Sequence, residues 1–135
     1  MVLGAGASKP YYVPTGLELS NCIFDQLAGP GYAPYNNLRE FFGFGDGEIG
    51  RFREAFYFSG KNSVDAFLEH RTEFLAIGKA ATAAVLVGYE NPWKVFRYDN
   101  QNWLRYLYNN LNTSFEEFGS NKLAIVTFNY DRLIE

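Results

Sequence analysis

MVLGAGASKPYYVPTG (residues 1–16) sets an apolar stub, Met1 to Leu3, against a loop of glycine and small residues, Gly4 to Ser8. A loop of that composition after a buried strand is how parallel α/β sheets bring backbone amides to a phosphate. The other end of the chain supplies a matching half. KLAIVTFNYDRLIE (122–135) runs an apolar segment, Leu123 to Phe128, into polar residues. Its apolar residues are consecutive instead of alternating, which predicts a strand covered on both faces in a parallel sheet. The fold class that follows is α/β: an incomplete Rossmann-like parallel sheet with a large, mostly helical insertion between the first strand and the Leu123–Phe128 strand. A single domain accommodates all 135 residues, with strand and Gly-rich loop in 1–15, helices in 16–121, and strand plus polar motif in 122–135.

The insertion reads as a series of helices. Thr15 and Glu18 have capping-box spacing, and Leu19, Cys22, Ile23 and Leu27 follow at helical period until Gly29-Pro30-Gly31. Residues 30–50 are loop-like, with a short helix about Asn37 to Phe42, and an aromatic helix is expected over Glu48 to Phe58. Ser63 is a good N-cap, with Asp65 in the first turn where a carboxylate suits the helix dipole. From there an apolar stripe (Val64, Phe67, Leu68, Phe74, Leu75, Ala81, Val85) predicts one helix lasting to about Gly88. Small residues at Gly78, Ala80, Ala81, Ala83 and Ala84 would let a second helix approach closely, from this chain or from another copy. Asn91-Pro92 interrupts, and a further helix is expected from about Asn100 to Phe118. The aromatics Phe56, Tyr57, Phe58, Trp103 and Tyr106 are assigned to the core.

Composition narrows the classes of function. The chain is 47% hydrophobic and 19% aromatic, ample for a core. Twelve basic against fifteen acidic residues give a net charge of -3, with no basic patch, so a nucleic-acid partner has no electrostatic support. A single cysteine, Cys22, excludes an internal disulfide framework and a multi-cysteine zinc site. The N-terminus lacks the pattern of a signal peptide, and AIGKAATAAVLVGY (76–89) is too short to span a bilayer. A soluble, cytoplasmic protein with no membrane partner is the expectation.

The glycine loop fits neither common phosphate motif. A P-loop needs G-x-x-x-x-G-K-[ST], and here Lys9 precedes Pro10 at the wrong spacing. The dinucleotide pattern G-x-G-x-x-G matches at Gly4 and Gly6 but has Lys9 at the third glycine. Two glycines and a serine still permit a tight turn whose following amides hold a pyrophosphate at a helix start. A plain strand-to-helix turn is the alternative.

GAGAS, three residues, then YVPT resembles the opening of the sirtuins, Gly-Ala-Gly-Ile/Val-Ser followed after three residues by Gly-Ile/Val-Pro. TFNYD (127–131) is similar to their Thr-Gln-Asn-Ile-Asp, and SVDAFLEHRTEFL (63–75) resembles the bacterial SIR2-like branch that includes anti-phage NAD hydrolases. The resemblance implies that NAD or ADP-ribose is the ligand, and that Gly4, Ala5, Gly6, Ser8 and Pro14 lie on the NAD-holding loop. It also places Asn129 and Asp131 on the motif that meets the ribose and nicotinamide. The sirtuin zinc cysteines are missing, Tyr12 stands for a family glycine, and Gly16-Leu17 replaces the residues that follow the proline in deacylases. These departures favour an NAD-consuming activity, without zinc, over protein deacylation.

The chemistry gives those residues roles. Cleaving the nicotinamide–ribose bond builds positive charge on the sugar. Asn129 both donates and accepts, so it suits a ribose hydroxyl or the attacking water, and it is the catalytic candidate. Asp131 would bond the carboxamide or stabilise the developing charge. Both also stand where helix caps occur. His70, the only histidine, falls in a predicted helix and does not match the family's catalytic histidine, which follows the strand. The resemblance therefore implies further material after Glu135, with a C-terminal effector or sensor domain as one candidate partner, and because a stub and one strand are too few for a doubly wound sheet, the 135 residues alone are expected to be inactive. The alternatives are a non-catalytic NAD or ADP-ribose sensor and a helical homo-oligomerisation element.

Overall fold

The computed structural model describes residues 1–96, 102–111, 114 and 116–134. Strand β1 (Val2–Leu3) leads through two 3-10 turns, Ala5–Ala7 and Lys9–Tyr11, into α1 (Gly16–Gln26). Helices α2 (Ala33–Glu40), α3 (Asp46–Phe58), α4 (Val64–Leu68), α5 (Leu75–Val87), α6 (Pro92–Val95) and α7 (Trp103–Leu111) follow, and β2 (Val126–Thr127) pairs parallel with β1. The architecture is mixed α/β, mostly helical, with a small two-stranded parallel sheet in the register Val2–Val126 and Leu3–Thr127.

Helix α5 is the centre of the helical layer. It packs against α1, α2, α3 and α4, and its Ile77, Gly78, Ala80, Ala81, Ala84 and Val85 are buried. Side chains this small bring several neighbours close at once, and the stripes of those neighbours close the core: Leu19, Ile23 and Leu27 of the α1 region, Leu38 of α2, and Ile49, Phe52 and Phe56 of α3. Phe67 packs on Phe56 at 5.2 Å and on Phe74 at 5.7 Å between ring centres, within the range where aromatic pairs add to plain burial. Most of the small-residue face of α5 is thus occupied inside one chain, and only Ala83 of that set is exposed.

Four sequence expectations change. The stripe from Ser63 to Gly88 is not one helix: α4 ends at Leu68, a 3-10 turn covers Thr72–Phe74, and α5 begins at Leu75. Breaking the helix lets Leu68 fold back over Gly78, and burying a leucine, worth about 1.5–3 kcal/mol, helps offset the helical bonds given up, at about 0.5–1.5 kcal/mol each. The strand expected over Leu123–Phe128 is two residues long and exposed, with Val126 at 50% and Phe128 at 77%, because β1 pairs with it but no layer covers it. Tyr57, Phe58 and Tyr106 are surface residues, not core. The helix expected from Asn100, which lies outside the described residues, is α7, and Phe118–Ser120 forms a separate 3-10 turn.

Other local expectations hold. The Glu18 carboxylate accepts from the Thr15 amide at 2.8 Å and from its hydroxyl at 2.7 Å. Those bonds, with Lys9 nearby, hold the Glu18 carboxyl below its ordinary range. Ser63 caps α4 by accepting from the Ala66 amide at 3.3 Å. Among the described residues no helix is long and apolar enough to cross a membrane.

The helix break makes a clear demand on Gly78. A Cβ there would stand 2.7 Å from both terminal carbons of the buried Leu68, which is overpacking. Gly78→Ala should lower stability by about 1–2 kcal/mol despite the better helix propensity of alanine, as read by urea denaturation.

Candidate functional site

The two ends of the chain meet at Ser8. β1 delivers the chain into the Ala5–Ala7 turn, whose bonds from Ala7 to Gly4 (2.9 Å) and from Ser8 to Ala5 (3.2 Å) turn the Ser8 side chain inward. Opposite, β2 brings Asn129 and Asp131 alongside. The Asn129 amide donates to the Ser8 hydroxyl at 2.9 Å, and that hydroxyl donates to an Asp131 carboxylate oxygen at 2.9 Å. Ser8 is 1% exposed, and Asn129 and Asp131 are half-buried, so water reaches the partners more readily than the hydroxyl they share. The second Asp131 oxygen accepts from the Leu133 amide at 3.2 Å, the capping role its position allows.

Helix α7 holds the far side of the same loop. The Trp103 indole donates to the Ala7 carbonyl at 2.7 Å. The buried Tyr11 hydroxyl donates to Asn102 at 2.9 Å and accepts from the Leu104 amide at 3.0 Å. Tyr12 occupies the left-handed region at φ 66, where glycine is favoured, and this is the position at which the sirtuin pattern has its glycine.

A cleft of about 160 Å³ opens beside this junction. Of the sequence-predicted residues, Gly4, Ala5, Pro14, Asn129 and Asp131 line it. Gly6 is exposed outside it, and Ser8 lies behind its wall as the support of Asn129 and Asp131. Neither Gly4 nor Gly6 has a positive φ, and a Cβ on either would meet open space. Their contribution is accessibility, not an unusual turn. Two 3-10 turns separate the glycines from the first helix, which starts at the expected Thr15 cap, and it is this helix, α1, whose start reaches the cleft through Gly16.

Sequence reasoning undervalued two lining residues. Asp65, explained from sequence by the helix dipole, faces the cleft, and so does Tyr130, whose hydroxyl donates to the Asp65 carboxylate. The signal for Tyr130 was its place between Asn129 and Asp131. Two carboxylates and no basic side chain line the cleft among the described residues, so it suits hydroxyls and positive charge better than phosphate. At about 160 Å³ it is smaller than the roughly 300–1,000 Å³ of sites for drug-sized ligands. A second cavity of about 370 Å³, walled by Tyr11, Tyr89, Val95 and Phe96, adjoins it at Val13 and Asp131.

His70 is exposed in the turn after α4 and lines none of these cavities. Among the described residues no group of His, Cys, Asp and Glu is arranged to hold a metal ion. Known protein families, curated proteins and solved structures were compared with the chain, and none matches.

Two outcomes test this geometry. Ser8→Ala leaves the Asn129 amide and Asp131 carboxylate without their shared partner and should cost about 1–3 kcal/mol, measured by denaturant unfolding. The Tyr130 phenol is pushed up from 10.0 to about 12, first by partial desolvation of its hydroxyl, although the ring as a whole is exposed, and then by its bond to Asp65. The folded state therefore holds this proton more tightly than the unfolded chain does. The resulting stability is complete below about pH 10 and is lost as pH rises toward 12. Tyr130→Phe should flatten that alkaline loss in unfolding curves taken from pH 9 upward.

Proposed function

We propose that this chain is the NAD-binding part of a SIR2-like domain whose complete form hydrolyses NAD to ADP-ribose and nicotinamide. The observation that carries the reading is the pair of hydrogen bonds from Asn129 and to Asp131 on Ser8. They join the two motifs on which the resemblance rests, far apart in sequence, at the rim of one cleft. The parallel pairing of β1 and β2 brings the two motifs together, and the hydrogen bonds then tie their side chains to one another.

The chemistry is consistent with that cleft. The nicotinamide of NAD carries a positive charge, and breaking its bond to C1′ moves that charge onto the ribose while the bonding electron pair leaves with the ring. Water then bonds to C1′ and releases a proton, so NAD and water become ADP-ribose, nicotinamide and H⁺. Asp65 and Asp131 line the cleft and give it charge of the sign that would stabilise a developing cation. Asn129 holds a ribose hydroxyl or the water, fixed by Ser8 and by its own amide bond to the Thr127 hydroxyl at 3.1 Å. The adjoining apolar cavity receives the remainder of the dinucleotide.

The position of His70, away from the cavities, favours a second reading in which the same site senses NAD or ADP-ribose without turnover. Full-length protein incubated with NAD separates the two. Nicotinamide release, followed by chromatography, should fall by about 100-fold or more in Asn129→Ala. Unchanged release in that variant overturns the assignment of Asn129. Calorimetric binding of NAD with no release selects the sensor.

A further inference from the structure

Residues 129–131 are held from two sides. Asn129 and Asp131 both turn to Ser8, at 2.9 Å each. Tyr130, between them, sends its hydroxyl the other way, to the Asp65 carboxylate on α4. Packing does little to fix that ring, because Tyr130 is 56% exposed. The hydrogen bond to Asp65 supplies the constraint that burial does not. The pair also forms a partition, since Asp65, Leu86 and Tyr130 line both the 160 Å³ cleft and a neighbouring cavity of about 440 Å³.

The ordinary explanation of Asp65 is a carboxylate favouring the start of a helix. Helix α4 is only five residues long, and Ser63 already caps it. That leaves the cleft-facing carboxylate with little to do for the helix.

We infer that Asp65 is a positioning residue for Asn129: by accepting from Tyr130 it clamps the 129–131 segment from the side opposite Ser8 and walls the cleft off from the neighbouring cavity. Removing either partner frees the Tyr130 ring, lets the segment rotate about its Ser8 bonds and moves the Asn129 amide. Asp65→Asn keeps an oxygen that accepts from the tyrosine hydroxyl, so it preserves the clamp without the charge.

The test has a structural arm on the ligand-free protein and a kinetic arm that rests on the proposed NAD hydrolysis. In the first, the side-chain amide resonances of Asn129 are followed by NMR in Asp65→Ala, Tyr130→Phe, the double variant and Asp65→Asn. Both single substitutions should shift them, the double variant should shift them no further than the larger single, and Asp65→Asn should leave them near their original position. Tyr130→Phe removes a single oxygen and serves if Asp65→Ala does not fold. In the second, kcat for nicotinamide release by the full-length protein should drop about 10-fold or more in either single variant, with KM within about twofold, as a displaced catalytic group predicts. Asn129 resonances that stay in place in Tyr130→Phe overturn the inference. Absence of turnover in the unaltered protein counts against the NAD reading alone, and the resonances still decide the role of Asp65.

Discussion

The Ser8 hydroxyl accepts from Asn129 and donates to Asp131 at 1% exposure, and the joining of the two chain ends depends on that arrangement. A buried hydroxyl with both functions satisfied is stable only while both partners stay in place, since leaving one unmade costs its full desolvation. The two-residue sheet alone is too small to hold the chain ends together. Besides the strand pairing, the ends are joined by the Met1 amine donating to the Ala124 carbonyl at 2.6 Å, while the loop is tied to the α7 region by Trp103 donating to the Ala7 carbonyl and Tyr11 donating to Asn102. The junction around Ser8 therefore draws on three separate segments, 1–14, 102–111 and 126–133, and the cleft beside it adds residues of α1, of the start of α4 and of α5.

The helical layer gives that junction a rigid base. Helix α5 is lined with alanine and glycine on the sides that α1, α2 and α4 approach, so each neighbour lies close and the core seals with few voids. The fold-back of α4 has a direct functional consequence. Had the stripe continued as one helix, Leu68 would lie well away from Gly78 along the axis, and α4 would have no packing to anchor it beside the cleft. By turning back at residues 69–74, the chain seats Leu68 on Gly78 and places Ser63, Val64 and Asp65 in the cleft wall. Core packing and site construction are one event at this point.

Much of the site was legible in the residues themselves. Gly4, Ala5, Pro14, Asn129 and Asp131 were readable as a group because two short motifs stood at the two ends, and all five line one cleft. The capping signals at Thr15 and Ser63 were equally plain, since a cap depends on residues within three or four positions. The break after Leu68 was not readable, because the local periodicity of 64–85 favours one helix and the reason to break it lies in a contact between distant turns. Nor was the role of Ser8, which looked like a ligand contact and is a buried support.

The sequence by itself determined the helical character of the middle and the identity of the polar groups at the two ends, because these depend on short-range patterns of apolar, small and capping residues. Only the tertiary structure decided which of those groups face the cleft and which stand behind it. That choice rests on burial and on hydrogen bonds such as Ser8–Asp131 and Tyr130–Asp65, whose partners come together only once the helical layer has packed.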